Sequence, residues 1–279
     1  MTTKKAAIVG CSDPLPPREQ VDVRLLPPLM ESMGVAAEIS PLLFTCSTDA
    51  QAKAAVLNDC FRDPDTDFIF DVSGGDLANT ALPYLDFDAI KRSRALFFGF
   101  SDLTVIINAV IAKTGRPAVN YQLRNLLYSD AAAQRAFFTE KLLPLTFSPA
   151  DLRPVFLRGG RMEGKIIGGN IRCFLKLAGT RYWPAPEGRI LLLESLGGNV
   201  NQMITALEQY RQLGVFDKIS GVLLGAFTKM RDENLTPTIE ELVLDMTPPT
   251  LPVAKTALLG HDPNSRALLL GVKTAFARQ

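Results

Sequence analysis

Short apolar runs alternate, along the first half of the chain, with longer stretches whose apolar positions recur at helical spacing. Residues 5–9, 35–39, 67–72 and 95–100 are predicted as strands. Residues 50–61, 77–85 and 103–114 are predicted as helices, as are residues 18–33, although Pro27 and Pro28 interrupt that stretch. Gly34 and Gly115 fall where C-caps are expected. Strands that alternate with helices predict an α/β fold with a parallel sheet and crossover helices.

Around residues 138–164 the pattern loosens, with Pro144, Pro149, Pro154 and Gly159-Gly160 close together. This divides the chain into an N-terminal α/β domain (1–145), a linker (146–164) and a C-terminal domain (165–279). In the second half, strands are predicted at 165–167, 189–194 and 221–225, with a short edge strand at 252–255 and a last strand at 267–272. A helical stretch follows Asn170, and a second helix covers 200–213, closed by Gly214.

Composition narrows the function classes. The chain has 279 residues, of which 47% are hydrophobic and 21% charged, an ordinary globular balance that needs no disulfide or metal staple. A net charge of +1 leaves no overall footprint for nucleic acid or an anionic membrane. No segment approaches the roughly 20 apolar residues that span a bilayer, and the run Ala6-Ala7-Ile8-Val9 is too short for a signal sequence. Cys11, Cys46, Cys60 and Cys173 are scattered without metal-site spacing, so they are expected as reduced thiols in the cytoplasm. The single histidine, His261, argues against a histidine-rich metal site.

The strongest local signal is Phe98-Gly99-Phe100-Ser101-Asp102, an apolar strand turning into a helix with a serine at the turn. That is the arrangement of a nucleophile elbow, with backbone N–H groups of the helix N-terminus aimed at the same point. The match to G-x-S-x-G is partial, because Leu103 replaces the second glycine. A serine in this position also fits a plain helix N-cap. A serine nucleophile needs a base, and His261 is the one histidine, in a loop after a strand. It also fits an ordinary surface-loop residue. Glu194 closes the apolar run 190–193, where a charge needs a partner, and is the candidate for holding the imidazole. A glutamate there could instead face water. The order Ser101, Glu194, His261 matches other strand-to-helix elbow hydrolases. An oxyanion hole would draw one N–H from Asp102 and a second from Gly74-Gly75, where glycine permits close approach. Neither Ser73-Gly74-Gly75-Asp76 nor Gly168-Gly169-Asn170 forms a nucleotide-binding loop. Cys11 lacks a second histidine to serve it and is expected to be buried and inert, and Trp183 is expected to serve packing.

Together these segments resemble the LD-carboxypeptidase family of serine peptidases, which includes the microcin C immunity peptidases. The resemblance runs through Ser73-Gly74-Gly75, Leu82–Asp88, Gly99–Thr104 and Ala112–Gly115. It continues through Gly168-Gly169-Asn170, Leu177–Thr180, Leu191–Glu194, Gly221–Gly225, Pro252-Val253 and Gly260-His261. It implies a Rossmann-like or flavodoxin-like N-terminal domain, a smaller β-rich C-terminal domain and a site between them. It places the family's catalytic serine, glutamate and histidine on Ser101, Glu194 and His261. It further implies release of a terminal D-alanine from murein tetrapeptides, no metal or organic cofactor, and a homodimer. In the microcin branch the bond cleaved instead joins a peptide or amino acid to a nucleotide. Two positions depart from the family pattern: Ser73, where many members carry arginine, and the segment Asn120-Tyr121-Gln122, where many carry a Gly-Pro segment. Both are expected near the substrate cleft.

Three functions therefore compete: an L,D-carboxypeptidase acting on a small muropeptide, an immunity peptidase acting on aminoacyl nucleotides, and a non-catalytic muropeptide-binding protein. An aromatic stacking face in the pocket would favour the second, and a cationic pocket end the first. Arg124 and Arg172 are among the arginines available to hold a terminal carboxylate.

Overall fold

The computed structural model describes residues 4–278. Met1 to Thr3 and Gln279, at the outer ends of the two expected domains, lie outside the described residues. In the first half, β1 (Lys4–Val9), β2 (Val35–Ile39), β3 (Phe68–Asp71), β4 (Leu96–Gly99) and β5 (Ala118–Asn120) run parallel in the order 2-1-3-4-5. This is the flavodoxin-like order, with its switch point between β1 and β3, where ligand crevices open at the carboxyl ends of the strands. Every residue of β3 is buried, which is why Phe68-Ile69-Phe70 is a continuous apolar run and not an alternating one.

The second half contributes β6 (Val155–Arg158), β7 (Arg161–Asn170), β8 (Ile190–Ser195), β9 (Gly221–Phe227) and β10 (Val253–Lys255). β7, β8, β9 and β10 are parallel, and β6 pairs antiparallel to β10. β11 (Leu268–Leu270) then crosses back to pair antiparallel with β5, and β12 (Lys273–Ala277) closes the second sheet against β7. Two α/β sheets of six strands each result, among the described residues.

Several sequence expectations change. The stretch 18–33 is two helices, Pro17–Arg24 and Leu26–Ser32, parting at Leu25. Pro27 and Pro28 lie in the first turn of the second helix, where a missing N–H leaves no bond unmade. The expected linker 146–164 contains a turn of 3-10 helix (Pro149–Leu152), all of β6 and the start of β7. Because β6 covers its flank, β10 is an interior strand and not the expected edge. The strand predicted at 267–272 is only Leu268–Leu270, it belongs to the first sheet, and β12 follows it as the last strand.

The two sheets share the helix Thr104–Thr114, whose residues from Thr104 to Ile111 are all buried. Asn108 donates to the Gly168 carbonyl (2.8 Å) and accepts from the Gly168 N–H (2.9 Å), so one amide satisfies both backbone groups of β7 at that point. Next to it, Gly169 sits at φ 136°, and a Cβ there would come within 2.5 Å of the Thr104 hydroxyl. Glycine at 169 is therefore what lets β7 lie directly on the helix that follows Ser101.

Candidate active site

β4 ends at Gly99, and the chain passes through Phe100 into the 3-10 turn Ser101–Leu103. A Cβ on Gly99 would stand 2.7 Å from the Leu103 Cβ, so the tightness of the turn requires glycine. Ser101 adopts φ 54°, a left-handed conformation costing roughly 1–3 kcal/mol for a residue other than glycine. Its hydroxyl caps neither the turn nor the following helix, which removes the N-cap explanation. A nucleophile elbow would need such a strained turn, and Ser101 lines a cleft.

Glu194 lies near the end of β8 with no exposed surface, so it does not face water. Its Oε2 is 2.8 Å from Nδ1 of His261, while Oε1 has no hydrogen-bond partner. The imidazole is itself largely buried, with 11% of the side chain exposed, and its ring packs 4.3 Å from the ring of Phe100, the residue before Ser101. His261 is thus not a surface-loop histidine. Two glycines bring its loop this close. A Cβ on Gly225 would lie 2.7 Å from the Leu259 carbonyl oxygen and 3.0 Å from the Glu194 Cβ. Gly260, at φ 135°, would place a Cβ 2.8 Å from that of Ala226. The Ala226 N–H then donates to the Leu259 carbonyl at 2.6 Å. Ser101 is linked to His261 only through Phe100: the two side chains are not hydrogen-bonded, and His261 does not line the cleft that Ser101 faces.

Ser101 and Gly75 face a cleft of about 910 Å3. Its walls come from the helix Ile171–Leu175 and from the helix Val200–Gln212 with the turn before it. Gly75, at φ 119°, fits against Asp13, whose Oδ1 accepts the N–H groups of Asp76 (2.9 Å) and Leu77 (3.1 Å). Gly74 lies outside the cleft wall, and its carbonyl accepts the Asp13 N–H (3.1 Å). The Asp102 side chain points inward with no exposure and accepts from Ser12 Oγ (2.6 Å) and the Ala78 N–H (2.8 Å). Lys176 Nζ donates to the same carboxylate at 2.6 Å.

The arginine candidates separate cleanly. Arg124 is buried and paired with Glu19, away from the cleft. Arg172 lines the cleft, exposed, and bonds Asp76 at 2.8 Å. Ser73, expected near substrate, is buried and bonds Asp71 and the Ser12 N–H. The segment Asn120-Tyr121-Gln122 is likewise buried and off the cleft. Burial pushes the Cys11 thiol well up, so it is no thiolate nucleophile at neutral pH. Trp183 stacks on Phe174 at 4.4 Å, as expected of a packing residue. Sequence reasoning passed over Lys176 entirely. Its position four residues after Arg172, on the same helical face, was the available signal. Among the described residues no helix is long and apolar enough to cross a membrane, and no cluster of His, Cys, Asp and Glu is placed to hold a metal ion.

Comparison with known proteins assigns the class. Residues 6–121 match the LD-carboxypeptidase N-terminal domain, and residues 163–276 match the LD-carboxypeptidase C-terminal domain. The chain belongs to the LD-carboxypeptidase family of peptidases. It is 24% identical to a probable murein peptide carboxypeptidase of Bacillus subtilis, over 98% of this chain and 89% of that protein. It is 26% identical to the microcin C7 self-immunity protein MccF of Escherichia coli, over 65% of this chain. The matches span 62% of the length of MccF and of a putative carboxypeptidase of Vibrio cholerae. The solved structure of MccF in complex with glutamyl sulfamoyl guanosine has the same fold, with a TM-score of 0.86 at 19% identity, covering 100% of this chain and 97% of that one.

Proposed function

We propose that this protein is a serine L,D-carboxypeptidase that removes the terminal D-alanine from murein tetrapeptides. The observation that carries the reading is the buried Glu194 carboxylate, bonded at 2.8 Å to an imidazole that packs against Phe100, the neighbour of the strained Ser101. Glu194 fixes the tautomer in which Nδ1 carries the proton, leaving Nε2 free to accept one. Nε2 takes the Ser101 proton as Oγ attacks the scissile carbonyl. The N–H groups of Asp102 and Gly75 receive the developing oxyanion. His261 then protonates the leaving D-alanine amine, and water, activated the same way, hydrolyses the ester. Catalytic serine–histidine hydrogen bonds often tighten only in the substrate complex, so the missing Ser101–His261 bond does not count against the pairing.

The cleft supports a peptide over a nucleotide. Its lining contains no aromatic side chain on which a base could stack, and it carries two cations, Arg172 and Lys176. Arg172 is the residue we assign to the terminal carboxylate. The same cleft chemistry argues against a purely binding role, since a carboxylate–imidazole pair and a strained serine add nothing to binding alone. All four cysteines are free, in keeping with work in the reducing cytoplasm.

The test is mass spectrometry of a murein tetrapeptide incubated with the protein and with Ser101→Ala. Loss of one D-alanine with wild type only, and a fall in kcat of several powers of ten for the variant, is expected. Equal release by both proteins would refute Ser101 as nucleophile. Cleavage of an aminoacyl sulfamoyl nucleoside, with the tetrapeptide untouched, would favour the immunity reading.

A further inference from the structure

The His261 loop is held from the other half of the molecule. Gln134, on the helix Ala131–Phe137, has no exposed surface. Its side-chain amide donates to the carbonyls of Pro263 (2.7 Å) and Ser265 (2.8 Å), two and four residues after His261. Both of its donor hydrogens are therefore spent on one loop. Its Oε1 accepts from Tyr121 Oη (3.4 Å), and the Tyr121 N–H donates to the carbonyl of Gly99 (2.9 Å), in the strand that delivers Ser101. From Ser265 the hydroxyl continues to the Gly260 carbonyl (2.7 Å), immediately before His261. A continuous buried series of hydrogen bonds thus runs from the nucleophile's strand to the base's loop.

We propose that Gln134, seated by Tyr121, is a positioning residue that sets His261 against Ser101. This rests on the reading of His261 as the general base. Before His261 the loop is held at Leu259 by the Ala226 N–H, and after it Asp262 takes two bonds from Arg231, whose exposed guanidinium water screens. Gln134 is the side-chain support with no exposed surface, and it makes two bonds. A glutamine is suited to this role because two backbone carbonyls need two donors on one rigid group. Asparagine is one methylene short, and glutamate would present an oxygen to each carbonyl. Misplacing a general base by about 1 Å can cost on the order of 100-fold in rate.

The experiment compares tetrapeptide hydrolysis by wild type, Gln134→Met, His261→Ala and the double variant, with folding checked by circular dichroism. Gln134→Met is expected to lower kcat by about 10- to 100-fold with KM within about twofold. In the His261→Ala background the same substitution is expected to change the residual rate by less than about twofold, since there is no base left to position. A merely structural role would lower the residual rate by the same factor in both backgrounds, and that result overturns the proposal, as does a wild-type kcat for Gln134→Met. If Gln134→Met does not fold, Tyr121→Phe takes its place in the same cycle: a fall in kcat confined to the background with His261 is expected, and no fall overturns the proposal. Wild-type kcat in His261→Ala would instead remove the underlying reading, a failure recognisable before Gln134 is touched.

Discussion

Lys176 holds Asp102 across the junction of the two sheets, with Nζ 2.6 Å from an oxygen of a carboxylate that has no exposed surface. Asp102 follows Ser101 directly, and its other oxygen is held by the Ser12 hydroxyl and the Ala78 N–H. One side chain therefore ties together the loops after β1, β3 and β4 and the cleft helix of the second sheet. The charge matters as much as the geometry. In the proposed mechanism the Asp102 N–H receives the oxyanion, and an unpaired carboxylate on the same residue would repel that negative charge.

Lys176→Met should accordingly damage both stability and turnover. Removing the partly exposed lysine leaves the buried Asp102 carboxylate without its cation, at a cost of up to about 3 kcal/mol, since its two other hydrogen bonds remain. Weakening one oxyanion donor costs up to about 100- to 1000-fold in kcat. The double variant Lys176→Met, Asp102→Asn removes both charges, and it is expected to recover most of the stability and part of kcat. Thermal denaturation and steady-state kinetics on the tetrapeptide measure the recovery. A double variant no better than Lys176→Met would show that the charge of Asp102 is not the problem.

Arg172 offers a separate handle on substrate choice. Its guanidinium is exposed in the cleft and its partner Asp76 is a surface carboxylate, so exchanging that partner for a substrate carboxylate costs little. Arg172→Met should raise KM for the tetrapeptide about tenfold or more, the value of a charged hydrogen bond. The tetrapeptide with its terminal carboxylate amidated should be cleaved equally by variant and wild type. If the amide is affected as strongly as the acid, Arg172 does not read the carboxylate.

What the sequence revealed follows from where information is local. β3, β8 and β9 are buried at every position, β4 and the latter part of β1 nearly so, and all stand out as apolar runs. β12 alternates exposed and buried residues, and β5 is three residues long after Pro117, so neither rises above its surroundings. β6 sits among prolines and glycines that suggest a linker, yet it pairs with β10, almost 100 residues later. The same division holds at the site. Ser101 and Glu194 announce themselves because a hydroxyl or a charge at the end of an apolar strand needs a reason, and His261 because there is no other histidine. Gln134 and Lys176 act through partners 129 and 74 residues away in sequence; nothing in the immediate neighbours of Gln134 marks it, and Lys176 has only its spacing from Arg172.

Asp71 sets a pH dependence away from the chemistry. It closes β3 with almost no exposure and accepts from the Cys11 N–H (2.8 Å), the Ser73 N–H (3.0 Å) and the Ser73 hydroxyl (2.6 Å), without an ion pair among the described residues. Burial pushes its carboxyl up to about 6, against the lowering effect of those hydrogen bonds. In the unfolded chain it ionises near its ordinary value of about 3.9. Between these two values the folded state binds a proton that the unfolded state does not, so stability from this group falls as pH rises through the window. The slope approaches about 1.4 kcal/mol per pH unit at most, and the full penalty is present above pH 6. Asp71→Asn keeps a side chain of the same shape that does not titrate. It should flatten the contribution between pH 4 and 6, so that the difference in melting temperature between variant and wild type shifts in the variant's favour as pH rises from 4 to 7. Denaturation curves across that range measure it, and a difference that stays constant with pH would show that Asp71 has the same proton affinity folded and unfolded.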